Sequence, residues 1–247
     1  MSNDPAGLPS ANTPRRDIAA IVFALVFPTL VTWVYFVLLQ DASSGLQVAA
    51  KSVGMIIQFG FPMFWVVVMQ KQRLIRPAFQ RPGLVIGGVF GLAILSVMFV
   101  AYHHWLQQDV QFAAAAGQIR EKVRGLGFDS VAKYAVLSAF YAVLHSLLEE
   151  YYWRWFVFAQ LRRMMALGPA IAISSLGFMS HHVIVLSIFF GWGTFLSLFF
   201  SVGVAVGGAV WAWLFERSRS LYGPWLSHCL VDAGIFLVGY QILSSQW

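Results

Sequence analysis

Seven stretches of this chain are apolar over at least about 18 residues, close to the length that an α-helix needs to cross a bilayer. Backbone polar groups in lipid must be satisfied internally, so stretches of this kind form helices. The composition agrees, since 59% of the residues are hydrophobic and only 11% are charged. The sequence therefore predicts an all-α, polytopic transmembrane helical bundle of about seven spans.

We place the spans at residues 18–39, 53–70, 84–102, 133–159, 169–190, 192–215 and 221–241. The close turn around Gly191 leaves a six-span alternative open, in which the C-terminus lies on the other side. Residues 1–16 are polar and contain three prolines, which predicts a disordered tail. The rest is interpreted as one integrated domain, with N-terminal helices and an outer loop at 17–132 and a helical core at 133–247.

Lysine and arginine are distributed unevenly between the two sides of this map. Seven alternating spans place ten of them on one side and five on the other. The ten are Arg15, Arg16, Lys71, Arg73, Arg76, Arg81, Arg162, Arg163, Arg217 and Arg219, and the five are Lys51, Arg120, Lys122, Arg124 and Lys133. Basic residues concentrate in cytoplasmic loops, so the N-terminus is predicted to be cytoplasmic. The loop at about 103–132 then lies outside, as a short surface helix or a solvated linker.

The net charge of +6 is accounted for by these loops, so nucleic acid is not expected as a partner. Small size and the lack of an organelle-targeting signal favour a prokaryotic plasma (inner) membrane.

Some glycines are spaced four residues apart, at Gly83, Gly87 and Gly91 and at Gly203 and Gly207, and this spacing predicts close packing of helix backbones.

Only three of the ten acidic residues fall inside the spans. They are Glu149, Glu150 and Asp232, and four histidines accompany them: His145, His181, His182 and His228. An ionisable group inside a membrane costs several kcal/mol and by default marks a functional site or its counter-ion. His181 is assigned to packing or to a hydrogen bond with a neighbour.

Helix geometry indicates which of these side chains can meet. Glu150 and Arg154 are four residues apart, so they share a face and can form an ion pair, whereas Glu149 points about 100° away. His228 and Asp232 are also four apart. One glutamate is therefore predicted to be neutralised, and the other is left without a permanent cation.

The depth of each polar residue in the membrane is a second criterion for whether these side chains can form one site. At 1.5 Å per residue from the inner end of each span, Glu149 lies roughly 16 Å deep, His182 roughly 20 Å, His228 roughly 10 Å and Asp232 roughly 16 Å. All four can reach one cavity near mid-membrane. A buried carboxylate can act as general base to a water, while imidazole groups orient that water and stabilise an oxyanion. This chemistry suits hydrolysis of an acyl bond.

The residues that carry this chemistry resemble a known family, the CAAX-protease and bacteriocin-processing group of intramembrane glutamic endopeptidases, which includes the Ras-converting CAAX endopeptidase. Its pattern is E-E-x-x-x-R, then F-x-x-x-H, then H-x-x-x-N or D. The corresponding segments here are "EEYYWR" from Glu149, "FMSHH" ending at His182, and "HCLVD" from His228 to Asp232. The resemblance covers about residues 140–240.

The resemblance implies an endopeptidase without a cofactor, in which Glu149 activates a water, His182 helps to bind it, and His228 with Asp232 forms the oxyanion site. Glu150 and Arg154 are implied to be a supporting ion pair. The substrate is expected to be a peptide or a lipidated protein that arrives from the cytoplasmic side.

The sequence departs from the family at two positions. Trp155 follows the arginine where the family often has glycine, which would narrow the space around the fourth helix. Asp232 stands where an asparagine amide would donate to the oxyanion. An ionised aspartate cannot donate, so Asp232 is expected either to be protonated or to orient His228.

Two alternatives stay open at this point. His145, Glu149, His182 and His228 could hold zinc, although the chain has no H-E-x-x-H motif. A proton-coupled transporter or a peptide-toxin immunity protein would also use carboxylates and histidines at mid-membrane, although no inverted repeat is evident.

Overall fold

The computed structural model describes residues 15–73 and 79–244, which fold into a bundle of helices. The helices are α1 Arg15–Leu38, α2 Ser44–Met69, α3 Arg81–His104, α4 Val110–Gly125, α5 Val131–Arg162, α6 Leu167–Phe190, α7 Phe195–Ser218 and α8 Tyr222–Leu243. Every helix except α4 belongs to a segment long and apolar enough to cross a membrane. The predicted all-α transmembrane bundle with seven spans is confirmed, and the protein is an integral membrane protein.

The helices extend beyond the apolar stretches that predicted them. The first helix begins at Arg15, so residues 15 and 16 are helical, and the rest of the predicted tail, residues 1–14, lies outside the described residues. The second begins at Ser44 rather than at residue 53, because Ser43 caps it by accepting a hydrogen bond from the Leu46 N–H. Polar residues at the ends of a span thus remain helical.

A tight turn separates α6 from α7. Gly191 and Gly193 have φ angles of 91° and 71°, a left-handed conformation that glycine adopts without steric cost. Thr194 then caps α7 by accepting a hydrogen bond from the Ser197 N–H over 3.3 Å. The chain therefore reverses here, and the six-span alternative is wrong.

Close packing between α3 and α8 depends on the glycines of α3. A Cβ atom at Gly87 would collide with the carbonyl oxygen of Gly223, so the two backbones touch at this point. The prediction for Gly203 and Gly207 is wrong, because Gly203 has nothing within 4 Å of a Cβ position and the three atoms nearest a Cβ of Gly207 belong to Trp211 of its own helix. Gly208, one residue further on, is the glycine of α7 that packs against α6.

The helix α4 covers one end of the bundle. Phe112 and Ala116 are buried and pack with Leu196 and Ile242, at the start of α7 and the end of α8. The predicted helix in the 103–132 loop is therefore present, and it packs on the bundle rather than serving as a solvated linker.

The centre of the bundle is α5. Tyr152, Phe156, Val157 and Phe158 are fully buried in the main core cluster, with contacts from neighbouring helices. The segment that carries the predicted site is thus the most enclosed part of the described chain.

Candidate active site

The α5 backbone changes its hydrogen-bonding pattern on both sides of the two adjacent glutamates. A turn of α-helix, Ser146–Glu150, lies between two π-helical segments, Phe140–His145 and Tyr151–Phe158. The Ser146 N–H donates to the carbonyl of Tyr141, five residues earlier. Such π-helical insertions occur frequently at functional sites, because they rotate the side chains that follow them.

Glu149 lies among imidazole rings. Its Oε2 is 3.6 Å from His228 Nε2 and 3.8 Å from His145 Nδ1, and its Oε1 is 3.6 Å from His181 Nε2. The side chain is 7% exposed, and among the described residues no lysine or arginine nitrogen lies within 4.0 Å of it. Glu149 therefore faces histidines rather than a permanent cation.

Glu150 has a different environment, although it is the next residue. Its Oε1 lies 3.1 Å from Arg154 Nη1, one turn along the helix, and it accepts a hydrogen bond from His228 Nδ1 over 2.8 Å. The side chain is fully buried. A buried carboxylate requires this kind of pairing, so the four-residue spacing forms the ion pair that it predicts.

Arg154 is enclosed on its remaining sides. Its Nη2 donates to the carbonyl oxygen of Gly208 over 3.2 Å, and the guanidinium lies over the rings of Phe178 and Trp211, 4.7 and 5.0 Å from their centroids. The aromatic faces supply cation–π attraction in place of water. Phe178 of the predicted F-x-x-x-H segment thus packs on the ion pair.

His228 connects the two glutamates. Its ring stacks on Trp211 with centroids 4.1 Å apart, and the Nδ1–H bond to Glu150 fixes its rotation. Nε2 then lies 3.6 Å from Glu149 and 3.7 Å from Asp232 Oδ1. The Nδ1 atom of His228 is therefore held by Glu150, and its Nε2 atom faces Glu149, the predicted general base.

His182 is fixed by its own helix. Its Nδ1 donates to the Phe178 carbonyl oxygen over 2.9 Å, which leaves Nε2 available. One ligand atom of His182 lies within 4.8 Å of Glu149 and of His181. The structure thus brings together all the residues to which the sequence analysis assigned a role in hydrolysis.

His181 lies beside Glu149, a contact that sequence reasoning did not predict. It was assigned to packing or to a hydrogen bond with a neighbour, and its ring is parallel to that of Trp153 with centroids 5.8 Å apart, while its Nε2 lies 3.6 Å from Glu149. Its Nδ1 is buried and has no hydrogen-bond partner among the described residues. The doubled histidine in "FMSHH" was the available signal.

Within residues 15–73 and 79–244, one group of side chains is compact enough to hold a metal ion. Ligand atoms of Glu149, His181 and His182 all lie within 4.8 Å of one another. The predicted zinc set is different, because it contained His145 and His228 and omitted His181. The Nδ1 atom of His228 is already engaged by Glu150.

Two neighbours of Glu149 are more exposed than Glu149 itself. The side chains of His145 and Asp232 are 21% and 16% exposed, against 7% for Glu149. Trp155, which replaces the family's glycine, stacks on Tyr151 with centroids 5.1 Å apart, so it packs along its own helix.

Comparison with known proteins agrees with this geometry. Residues 131–234 match the family described as "Type II CAAX prenyl endopeptidase Rce1-like". The matched range begins at α5 and ends in α8, and it contains every residue of the site. No curated protein and no solved structure matches the chain. The matched family is therefore one of CAAX prenyl endopeptidases.

Proposed function

We propose that this membrane protein, whose residues 131–234 match the Rce1-like family of CAAX endopeptidases, hydrolyses a peptide bond by means of a water that Glu149 activates. The substrate is a membrane-associated or lipidated protein or peptide. The reaction needs no covalent intermediate and no resident cofactor.

One observation carries the proposal, namely the contrast between Glu149 and Glu150. Glu150 is neutralised by Arg154 and His228, whereas Glu149 is surrounded by imidazole nitrogens at 3.6–3.8 Å. Separations of this size are longer than direct hydrogen bonds. A water that lies to one side of the line between the two atoms could hydrogen-bond to both the carboxylate and a ring nitrogen.

The chemistry follows from these positions. Glu149 takes a proton from the water as the water oxygen attacks the substrate carbonyl carbon, which produces a tetrahedral oxyanion. The C–N bond then breaks, and the proton passes to the leaving amine. The products are a carboxylic acid and an amine, which exchange a proton to become a carboxylate and an ammonium, and Glu149 returns to its ionised starting state. His182 holds the water through Nε2.

The oxyanion is assigned to His228 and Asp232. When the His228 ring is doubly protonated, its Nδ1–H group donates to Glu150 and its Nε2–H group can donate to the developing charge. Asp232 lies 3.7 Å from the same nitrogen, where a protonated carboxyl would be a second donor.

We assign the cytoplasmic side as the side from which the substrate enters, and the prokaryotic plasma membrane as the location of the protein.

Cleavage of a quenched fluorescent peptide library, half of it prenylated, tests the proposal. The purified protein is expected to cleave prenylated members, and Glu149→Gln is expected to cleave none. Cleavage of unprenylated soluble peptides alone would contradict the substrate class. Equal cleavage by both proteins would contradict the role of Glu149.

A second candidate, a zinc-dependent protease, is favoured by the compact group of Glu149, His181 and His182. Carboxylate and imidazole are ordinary zinc ligands, and a bound zinc would activate the water. Metal analysis of the purified protein distinguishes the two. Stoichiometric zinc, with activity lost to a chelator and restored by zinc, would establish this candidate; full activity in metal-free protein would exclude it.

A further inference from the structure

The π-helical segment Phe140–His145, which precedes Glu149, frees a backbone carbonyl. The Ser146 N–H donates to the carbonyl of Tyr141 rather than to that of Ala142, which would be its partner in an α-helix. Where the five-residue pattern returns to the four-residue pattern, one carbonyl is left without a backbone donor. Inside a membrane no water replaces that donor, so another group of the protein has to supply it.

Two side chains supply hydrogen bonds at this point. The Ser146 hydroxyl, which is fully buried, donates to the Ala142 carbonyl oxygen over 2.5 Å. The indole N–H of Trp225, a residue of α8, donates to the Val143 carbonyl oxygen over 2.9 Å. The Val143 side chain is 48% exposed, so this second bond lies at the outer face of the bundle. Trp225 therefore supports the backbone of α5 from a different helix.

The bond from Trp225 joins α8 to the segment that sets the rotation of α5. Trp225 is three residues before His228, which contacts both Glu149 and Glu150. The helix α8 is thus attached to α5 twice, once at the π-helical segment and once at the glutamates. A π-helical turn contains more residues than an α-helical turn, so loss of the π pattern would rotate Glu149 relative to the residues before it.

We propose that Trp225 is a positioning residue for the hydrolysis. Its indole N–H, together with the Ser146 hydroxyl, maintains the π-helical pattern of Phe140–His145 and thereby the direction in which Glu149 faces its histidines. The inference rests on the proposed function, because it gives Trp225 an effect on the carboxylate that activates the water. Trp225 acts through the backbone of α5 rather than through the substrate, so its loss should change kcat and leave KM nearly constant.

Trp225→Phe tests the proposal, because phenylalanine keeps an aromatic ring and removes the N–H. With a prenylated peptide, kcat should fall about tenfold or more while KM changes less than about twofold, since a misplacement of about 1 Å can cost on the order of 100-fold in rate. Ser146→Ala, which removes the second donor, should give the same split between kcat and KM.

Tyr134→Phe is the matched control. The Tyr134 hydroxyl donates to the Phe236 carbonyl oxygen over 2.9 Å, so it also joins α5 to α8, but Tyr134 lies outside the π-helical segment. Removing this hydroxyl should lower the unfolding temperature and leave kcat within about twofold of the parent value. An equal loss of kcat in Trp225→Phe and Tyr134→Phe would overturn the inference, because any bond between the two helices would then have the same effect.

Hydrogen exchange keeps this inference separate from the catalytic proposal. It is measured by mass spectrometry in the Glu149→Gln background, where cleavage plays no part. Adding Trp225→Phe should speed exchange in peptides that cover residues 140–150, whereas adding Tyr134→Phe should not. Unchanged exchange there would overturn the inference, as would an unchanged kcat or an effect confined to KM. Cleavage by Glu149→Gln itself would refute only the role of the base.

Discussion

His228 Nδ1 donates a hydrogen bond to Glu150 Oε1 over 2.8 Å, although the two residues are 78 positions apart in the chain. The bond ties α8 to α5 and sets the direction of the opposite ring nitrogen, which faces Glu149 at 3.6 Å. Glu150 therefore acts on the site through His228, while its charge is balanced by Arg154.

Removing the charge of Glu150 is expected to destabilise the fold. Glu150→Gln leaves the Arg154 guanidinium buried without its counter-ion, which costs about 3–5 kcal/mol. Thermal unfolding of the detergent-purified protein measures the loss, with Glu149→Gln as the matched control. The double variant Glu150→Gln, Arg154→Met should recover part of the stability, because it removes both charges. If the loss of stability in the double variant equals the sum of the losses in Glu150→Gln and Arg154→Met, the two residues are not energetically coupled.

His181 is expected to be a positioning residue for Glu149. His181→Phe keeps a ring against Trp153 but removes the nitrogen 3.6 Å from Oε1, so kcat should fall about 10–100-fold while KM changes little. Steady-state kinetics with a prenylated peptide give both constants. Unchanged unfolding temperature with reduced kcat supports positioning; a change confined to unfolding temperature would leave His181 as packing only.

Substitutions of Asp232 distinguish whether this residue donates a hydrogen bond to the oxyanion or orients His228. Asp232→Asn supplies an amide donor at the same place and should retain activity within about tenfold, whereas Asp232→Leu should lose about 10²–10³ in kcat. If Asp232→Asn is as inactive as Asp232→Leu, then the residue acts as an acceptor that orients His228. The measurement is kcat for the two variants beside the parent.

The contact between α3 and α8 should be intolerant of any side chain at Gly87. Gly87→Ala places a methyl group against the carbonyl of Gly223 and should cost about 1–3 kcal/mol through overpacking. Gly203→Ala is the control, because its Cβ would have nothing within 4 Å, and it should stabilise the helix by about 0.5–1 kcal/mol. Equal unfolding temperatures for the two variants would contradict the close approach.

The sequence was sufficient for features that depend on one helix at a time. Length and apolarity predict the seven spans, because the bilayer sets both. The spacing of Glu150 and Arg154 predicts their pairing, because residues four apart share a helix face.

Contacts between helices could not be predicted in the same way. His181 and His182 are neighbours in sequence, and only the rotation of α6 against α5 places both of them near Glu149. The bond from His228 to Glu150 likewise depends on how α8 packs, while the π-helical segments of α5 alter its rotation without a signal in the residue pattern. Spacing within a helix identifies candidates, and packing decides which of them meet.

The most direct test of the central claim is the single-turnover rate of peptide cleavage by the parent and by Glu149→Gln, each shown by thermal unfolding to be folded. The substitution keeps the size of the side chain and removes its ability to accept a proton. The account predicts a loss of at least about 10³-fold for a folded variant, of the order expected when a general base is lost. A rate within tenfold of the parent would show that another group activates the water.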